Sequence, residues 1–151
     1  MPTIRFTIAV PIAPQAVAVA LTDFSPDRPT RWRNLDPTTY RVHALGETWA
    51  EVTEGASLAG GVWERSRYDW SQPNVITSTL IDSNTVAPGS YWKYELRPSR
   101  NGGSEITCTV HRLGKGLRGR AIVMLVGLLG GRVIQRDLEL RLRQLAVADI
   151  P

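Results

Sequence analysis

The sequence is poor in the residues that build metal and thiol chemistry. Among 151 residues there is one cysteine, Cys108, and there are two histidines, His43 and His111. A lone cysteine cannot close an intramolecular disulfide, so the simplest setting is a reducing compartment. Cys108 and His111 are three apart on one expected strand and point to opposite faces, so they cannot share a metal without a bulge. His43 has no ligand-spaced neighbour, and neither a zinc site nor a Cys/His nucleophile pair is expected. Within its alternating run, Cys108 reads as a small buried apolar residue.

Long hydrophobic runs are also missing. The longest uncharged apolar run covers residues 121–131, well short of the ~20 residues of a spanning helix. The first residues lack the charged-then-apolar layout of a signal peptide. A cytoplasmic protein is the expectation. No glycine-rich loop has phosphate-binding spacing between a strand and a helix, and no nucleotide or other cofactor is expected. The net charge of +4 is modest. No recognition motif accompanies it, and no aromatic–basic interleaving, so nucleic acid is not an expected partner.

What is present is ordinary for one globular domain spanning residues 1–151: 42% hydrophobic and 21% charged residues. Residues 3–10 alternate, with Ile4, Phe6, Ile8 and Val10 on one face, which predicts a half-buried strand. Residues 14–23 read as a short helix with Pro14 at its first position. Ser25-Pro26-Asp27 reads as the start of a second, which carries Trp32 and stops near Asn34. Six strands follow, at 40–45, 48–53, 62–70, 75–82, 91–97 and 105–112, separated by turn residues such as Asn101-Gly102-Gly103. Short links between successive strands make an antiparallel meander. Residues 116–147 then read as one long helical region, apolar all round over 121–129 and amphipathic afterwards, with Gly127, Gly130 and Gly131 permitting a bend or a close approach.

This element order, together with Val10-Pro11-Ile12-Ala13-Pro14, residues 63–70 and Pro88-Gly89-Ser90-Tyr91-Trp92, resembles the START-like or SRPBCC superfamily, and in particular bacterial polyketide cyclase or dehydratase-like members. The resemblance implies an α+β helix-grip fold: a curved antiparallel sheet of about seven strands, two short helices and a long C-terminal helix. It also implies a cavity between sheet and helix for a hydrophobic small molecule, lipid or polyketide-like. It does not fix a reaction.

The strand 62–70 carries the candidate chemistry. Its even positions include Glu64, Ser66, Tyr68 and Trp70; its odd positions include Trp63, Arg65 and Arg67. The even face is the more apolar and is placed toward the cavity, where burial raises a carboxyl pKa and suits Glu64 to acid–base work. The opposite choice puts Arg65 and Arg67 inward, and one bulge would exchange the two. Glu64, Arg67 and Tyr68 are therefore the candidate proton-transfer groups. Trp92 and Tyr94 share a face on one later strand and Cys108 lies on the next. With Trp49, Ser66, Tyr68 and Trp70 they make an aromatic-rich candidate wall. Met124 and Leu128 are expected to close it from the helix.

Binding of an apolar molecule is the leading reading. A cyclase or dehydratase-like enzyme is the alternative, with no diagnostic motif. A membrane-surface or partner-binding role is less favoured. It rests on Lys115, Arg118 and Arg120 beside the apolar run.

Overall fold

A computed structural model describes residues 3–32, 34–57, 60–129 and 131–148, the side chains of 146–148 excepted. β1 (Thr3–Val10) is followed by α1 (Pro14–Thr22) and α2 (Arg28–Arg31). Six strands come next: β2 (Arg41–Leu45), β3 (Trp49–Ala56), β4 (Val62–Asp69), β5 (Val75–Ser83), β6 (Tyr91–Pro98) and β7 (Ser104–His111). α3 (Gly116–Leu129) and α4 (Gly131–Ala148) end the described chain. All strands join one antiparallel sheet in the order β1-β7-β6-β5-β4-β3-β2. The first strand lies beside the last, so α1 and α2 carry the chain between the two edges.

One face of the sheet is lined by even-numbered residues on almost every strand. Phe6 pairs with Cys108, Cys108 with Tyr94, Tyr94 with Ile76, and Tyr68 with both Ser78 and Ala50. The alternation of β1 and β7 is what seats Phe6, Ile8, Val10, Ile106, Cys108 and Val110 in one core. Leu138 and Leu142 of α4 are buried in that core, and Ile134 and Leu145 pack against it. The apolar stripe of α4 therefore grips the sheet face that the strand period selects.

The C-terminal helical region is described as α3 and α4, on either side of residue 130. A Cβ on Gly131 would come within 2.6 Å of Ile4 Cγ2, so this backbone packs directly on β1. The second short helix starts at Arg28, not after Ser25. Ser25 N–H donates to Asp23 Oδ1 and Arg28 N–H to the Ser25 carbonyl, a turn that uses up Ser25-Pro26-Asp27 before the helix begins. β5 carries an irregularity. Glu64 pairs with Ser83 but Ser66 pairs with Leu80, a bulge that re-aims the end of β5. Ser83 is buried as a result, while Asp82 stays exposed beside Ile81.

Candidate functional site

Two adjoining compartments lie between α4, α3 and the even face of the sheet. The larger, about 290 Å³, is walled by Trp32, Leu35, Trp92, Tyr94, Ile134 and Leu138, with charged residues from four elements among them. The smaller, about 220 Å³, is walled by Ile4, Val86, Val110, Ile122, Val123 and Val126. Val62, Glu64, Trp92, Arg112 and Ile134 line both. The larger compartment alone lies at the low end of the ~300–1,000 Å³ typical of small-molecule sites.

The charges of the larger compartment are paired. Arg28, buried at the start of α2, donates from Nε to Glu54 Oε1 at 2.8 Å and from Nη1 to the carbonyls of Leu21 and Asp23. Tyr68 donates its hydroxyl to Glu54 Oε2 at 3.0 Å. Burial by itself would lower the Arg28 pKa, but the Glu54 carboxylate outweighs it and the guanidinium is held more firmly charged. Burial pushes the Tyr68 phenol well up, and the Glu54 charge beside it pushes the same way. Tyr68 therefore keeps its proton and serves Glu54 as a donor.

A second pair sits where the compartments meet. Arg112, just past β7, lies 3.1 Å from Glu64 Oε1, with its guanidinium 5.7 Å from the centre of the Trp92 ring. Glu54 and Glu64 are directly opposite each other on β3 and β4. Each carboxylate has its own arginine, so neighbouring like charges are compensated from opposite sides. On α4, Arg141 grips Asp137 through two hydrogen bonds of 2.9 and 2.8 Å.

The residues singled out from sequence divide. Glu64, Tyr68, Trp92 and Tyr94 line the cavity. The even face of β4 is thus the inner one, and Arg67 is exposed on the outer face, 3.5 Å from Glu51 and 4.2 Å over the ring of Trp49. Trp49 belongs to that outer stack and does not reach the cavity. Ser66 and Cys108 are buried in the sheet face without lining a compartment. Trp70 stacks on Phe24 at 5.9 Å, in a smaller core around Ala50 and Val52. Met124 and Leu128 are 65% and 79% exposed, because Ile122, Val123 and Val126 take the inner side of α3.

Cys108 is buried. Burial raises its thiol to about 12, against a smaller lowering by the Trp92 indole beside it. That indole N–H is buried and has no hydrogen-bond partner of good geometry. His111 faces outward, stacked on Tyr91 and bonded to Thr3 Oγ1.

Sequence reasoning passed over Arg28, Glu54, Arg112 and the Asp137–Arg141 pair. Glu54 had a signal: the even alternation Ala50, Val52 continues through it once β3 is extended to Ala56. Arg112 likewise shares the parity of Val110. Arg28 had none, since its inward turn depends on a helix start that local rules placed too early.

No family model matches the chain, and no curated protein does. Solved structures do. The protein TTHA0849 of Thermus thermophilus superposes with a TM-score of 0.76 at 15% identity, covering 99% of this chain and 100% of that one. A START superfamily protein of Mycobacterium smegmatis gives 0.73 at 13% identity, over 95% and 98% of the two chains. The Zhui aromatase/cyclase of a Streptomyces species gives 0.66 at 16% identity, over 98% and 88%. At such identities the likeness speaks for architecture alone, and in architecture this chain has the START-like, helix-grip α+β fold.

Proposed function

We propose that the protein binds a hydrophobic small molecule carrying a neutral polar group, a hydroxyl or a carbonyl. The observation that carries this reading is the bipartite cavity, with the Glu64–Arg112 pair at the junction of a charged compartment and an apolar one. An apolar body fits the smaller compartment. A hydroxyl at the junction can donate to Glu64, and a carbonyl can accept from Arg112. A charged ligand group is disfavoured there, because it would have to displace one partner of an existing ion pair. The START-like fold of solved relatives, one of them an aromatase/cyclase, supports the same use of the space.

An enzyme of the cyclase type would need an acid–base group facing the void and free to exchange a proton. Glu54, Glu64 and Tyr68 are each held by a partner. That pairing favours binding over turnover.

The test is native mass spectrometry of protein purified from its own host, with solvent extraction of any adduct. In parallel, an apo sample is titrated with a neutral acyl-naphthalene fluorophore. A co-purifying apolar alcohol or ketone, or saturable probe uptake weakened by Trp92→Ala, supports the reading. A clean apo mass together with no uptake of the probe refutes it.

A further inference from the structure

α3 is apolar on two opposite faces. At ~100° per residue, Gly119, Ile122, Val123 and Val126 fall on one side, and these are its buried or half-buried positions. Leu117, Ala121, Met124, Leu125 and Leu128 fall on the other. That second stripe meets no core: Leu117 is 86% exposed, Leu128 79%, Met124 65% and Leu125 57%. Monomeric proteins seldom leave so many large apolar side chains contiguous and in water.

The stripe has basic borders. On the same wheel Arg120 flanks it on one side and Arg118 on the other, and Arg132 follows as the second residue of α4. Arg118 also reaches the Gly61 carbonyl, and Lys115 below it pairs with Asp82 and the Ser83 carbonyl. From residue 113 to residue 136 the sequence contains no aspartate or glutamate. An apolar stripe between arginines, in a segment without acids, matches a surface that is apolar below and negative above. No helix among the described residues is long and apolar enough to cross a membrane. At ~1.5 Å per residue the 14 residues of α3 extend only ~21 Å, a length suited to lying along an interface.

We infer that α3 docks the protein on an anionic lipid surface, with Leu117, Met124, Leu125 and Leu128 in the acyl boundary and Arg118, Arg120 and Arg132 at the headgroups. The inner face of the same helix walls the apolar compartment. Docking therefore places that compartment one helix thickness from the bilayer. The inference is independent of what the cavity holds.

The experiment is co-sedimentation with vesicles of phosphatidylcholine alone and of phosphatidylcholine with phosphatidylglycerol, at low and high salt. Wild type, Met124→Glu/Leu128→Glu and Arg120→Glu are compared, each checked by circular dichroism and by uptake of the naphthalene fluorophore. Binding to the anionic vesicles is expected at low salt and should weaken at high salt. It should fall about tenfold or more in the double variant, from lost apolar insertion and added repulsion. A dye on Leu128→Cys should shift to the blue on the same vesicles, Cys108 being buried. Absence of binding at low salt overturns the inference, and intact probe uptake would then leave the cavity reading standing. Binding that is indifferent to the double variant also overturns it. So does a wild-type dimer that the double variant splits without any vesicle binding, since the stripe would then be covered by a second copy.

Discussion

Arg28 and Glu54 are 26 residues apart and meet at 2.8 Å, the guanidinium almost fully buried and the carboxylate partly so. The contact ties α2 to β3 and, through the Tyr68 hydroxyl, to β4. Removing one partner leaves the other charge enclosed and unpaired, which is the costly way to break such a pair. Arg28→Ala should therefore cost about 3 kcal/mol, toward the low end of the range for buried pairs because Glu54 keeps some contact with water. Urea titration of the wild type and the variant measures it. A change below about 0.5 kcal/mol, the scale of an indifferent surface substitution, would mean the pair is structurally idle.

Cys108 should be inert in the folded protein. Its thiol, raised from 9.0 to about 12, stays protonated where an unfolded chain has already lost the proton. The unfolded state then binds fewer protons than the folded one, so stability should fall as pH rises above about 9. Tyr94 and Tyr68, both raised by burial, add to the same decline once pH passes 10. Thiol titration with an aromatic disulfide at pH 8 should show no reaction until denaturant is added. Prompt native-state labelling would contradict the burial.

At the acid end Asp23 acts in the opposite sense. Burial works to raise its carboxyl, but hydrogen bonds from Ser25 and the charge of Arg31 prevail, and its pKa lies below the unfolded 3.8. Below that value the unfolded chain takes up a proton that the folded one still refuses. Stability contributed by Asp23 is thus present above pH 3.8 and declines as pH falls through the folded value. Asp23→Asn should flatten the stability profile in that window; an unchanged profile would assign the acid lability elsewhere.

Gly119 sets how closely α3 approaches the β5–β6 loop. A Cβ there would overlap the Thr85 carbonyl oxygen, which also accepts from Lys115 N–H. Gly119→Ala should push the start of α3 away and destabilise the protein by about 1–3 kcal/mol, despite alanine's better helix propensity. Hydrogen exchange should show faster amides in α3. If Gly119→Ala instead stabilises the protein, the close approach is not a tight one.

Much of the architecture was legible because it follows from local periods. The alternation of residues 3–10 marked β1 from Thr3 to Val10, where the structure has it. Turn residues separated the strands, and the short links between them demanded antiparallel neighbours. The pairing of β1 with β7 and the stripe Ile134, Leu138, Leu142, Leu145 on α4 complete the fold.

The site was legible only where parity reaches. Even positions on β4 and β6 placed Glu64, Tyr68, Trp92 and Tyr94 on the inner face, because a strand has two faces and one of them is more apolar. Parity assigns a face, but it does not say which inner residues meet empty space and which meet a neighbour. Ser66 and Cys108 share the inner face and are packed over. Trp49 and Trp70 went elsewhere because one stacks under Arg67 and the other on Phe24. Over residues 121–129, apolar all round, the sequence held no clue to the inner face, and Met124 and Leu128 turned outward. The pairing of Arg28 with Glu54 and of Arg112 with Glu64 joins residues distant in the chain. Such pairings arise only when the sheet and its helices have closed, and it is tertiary closure that turns an apolar fold into a cavity with paired arginines in its wall.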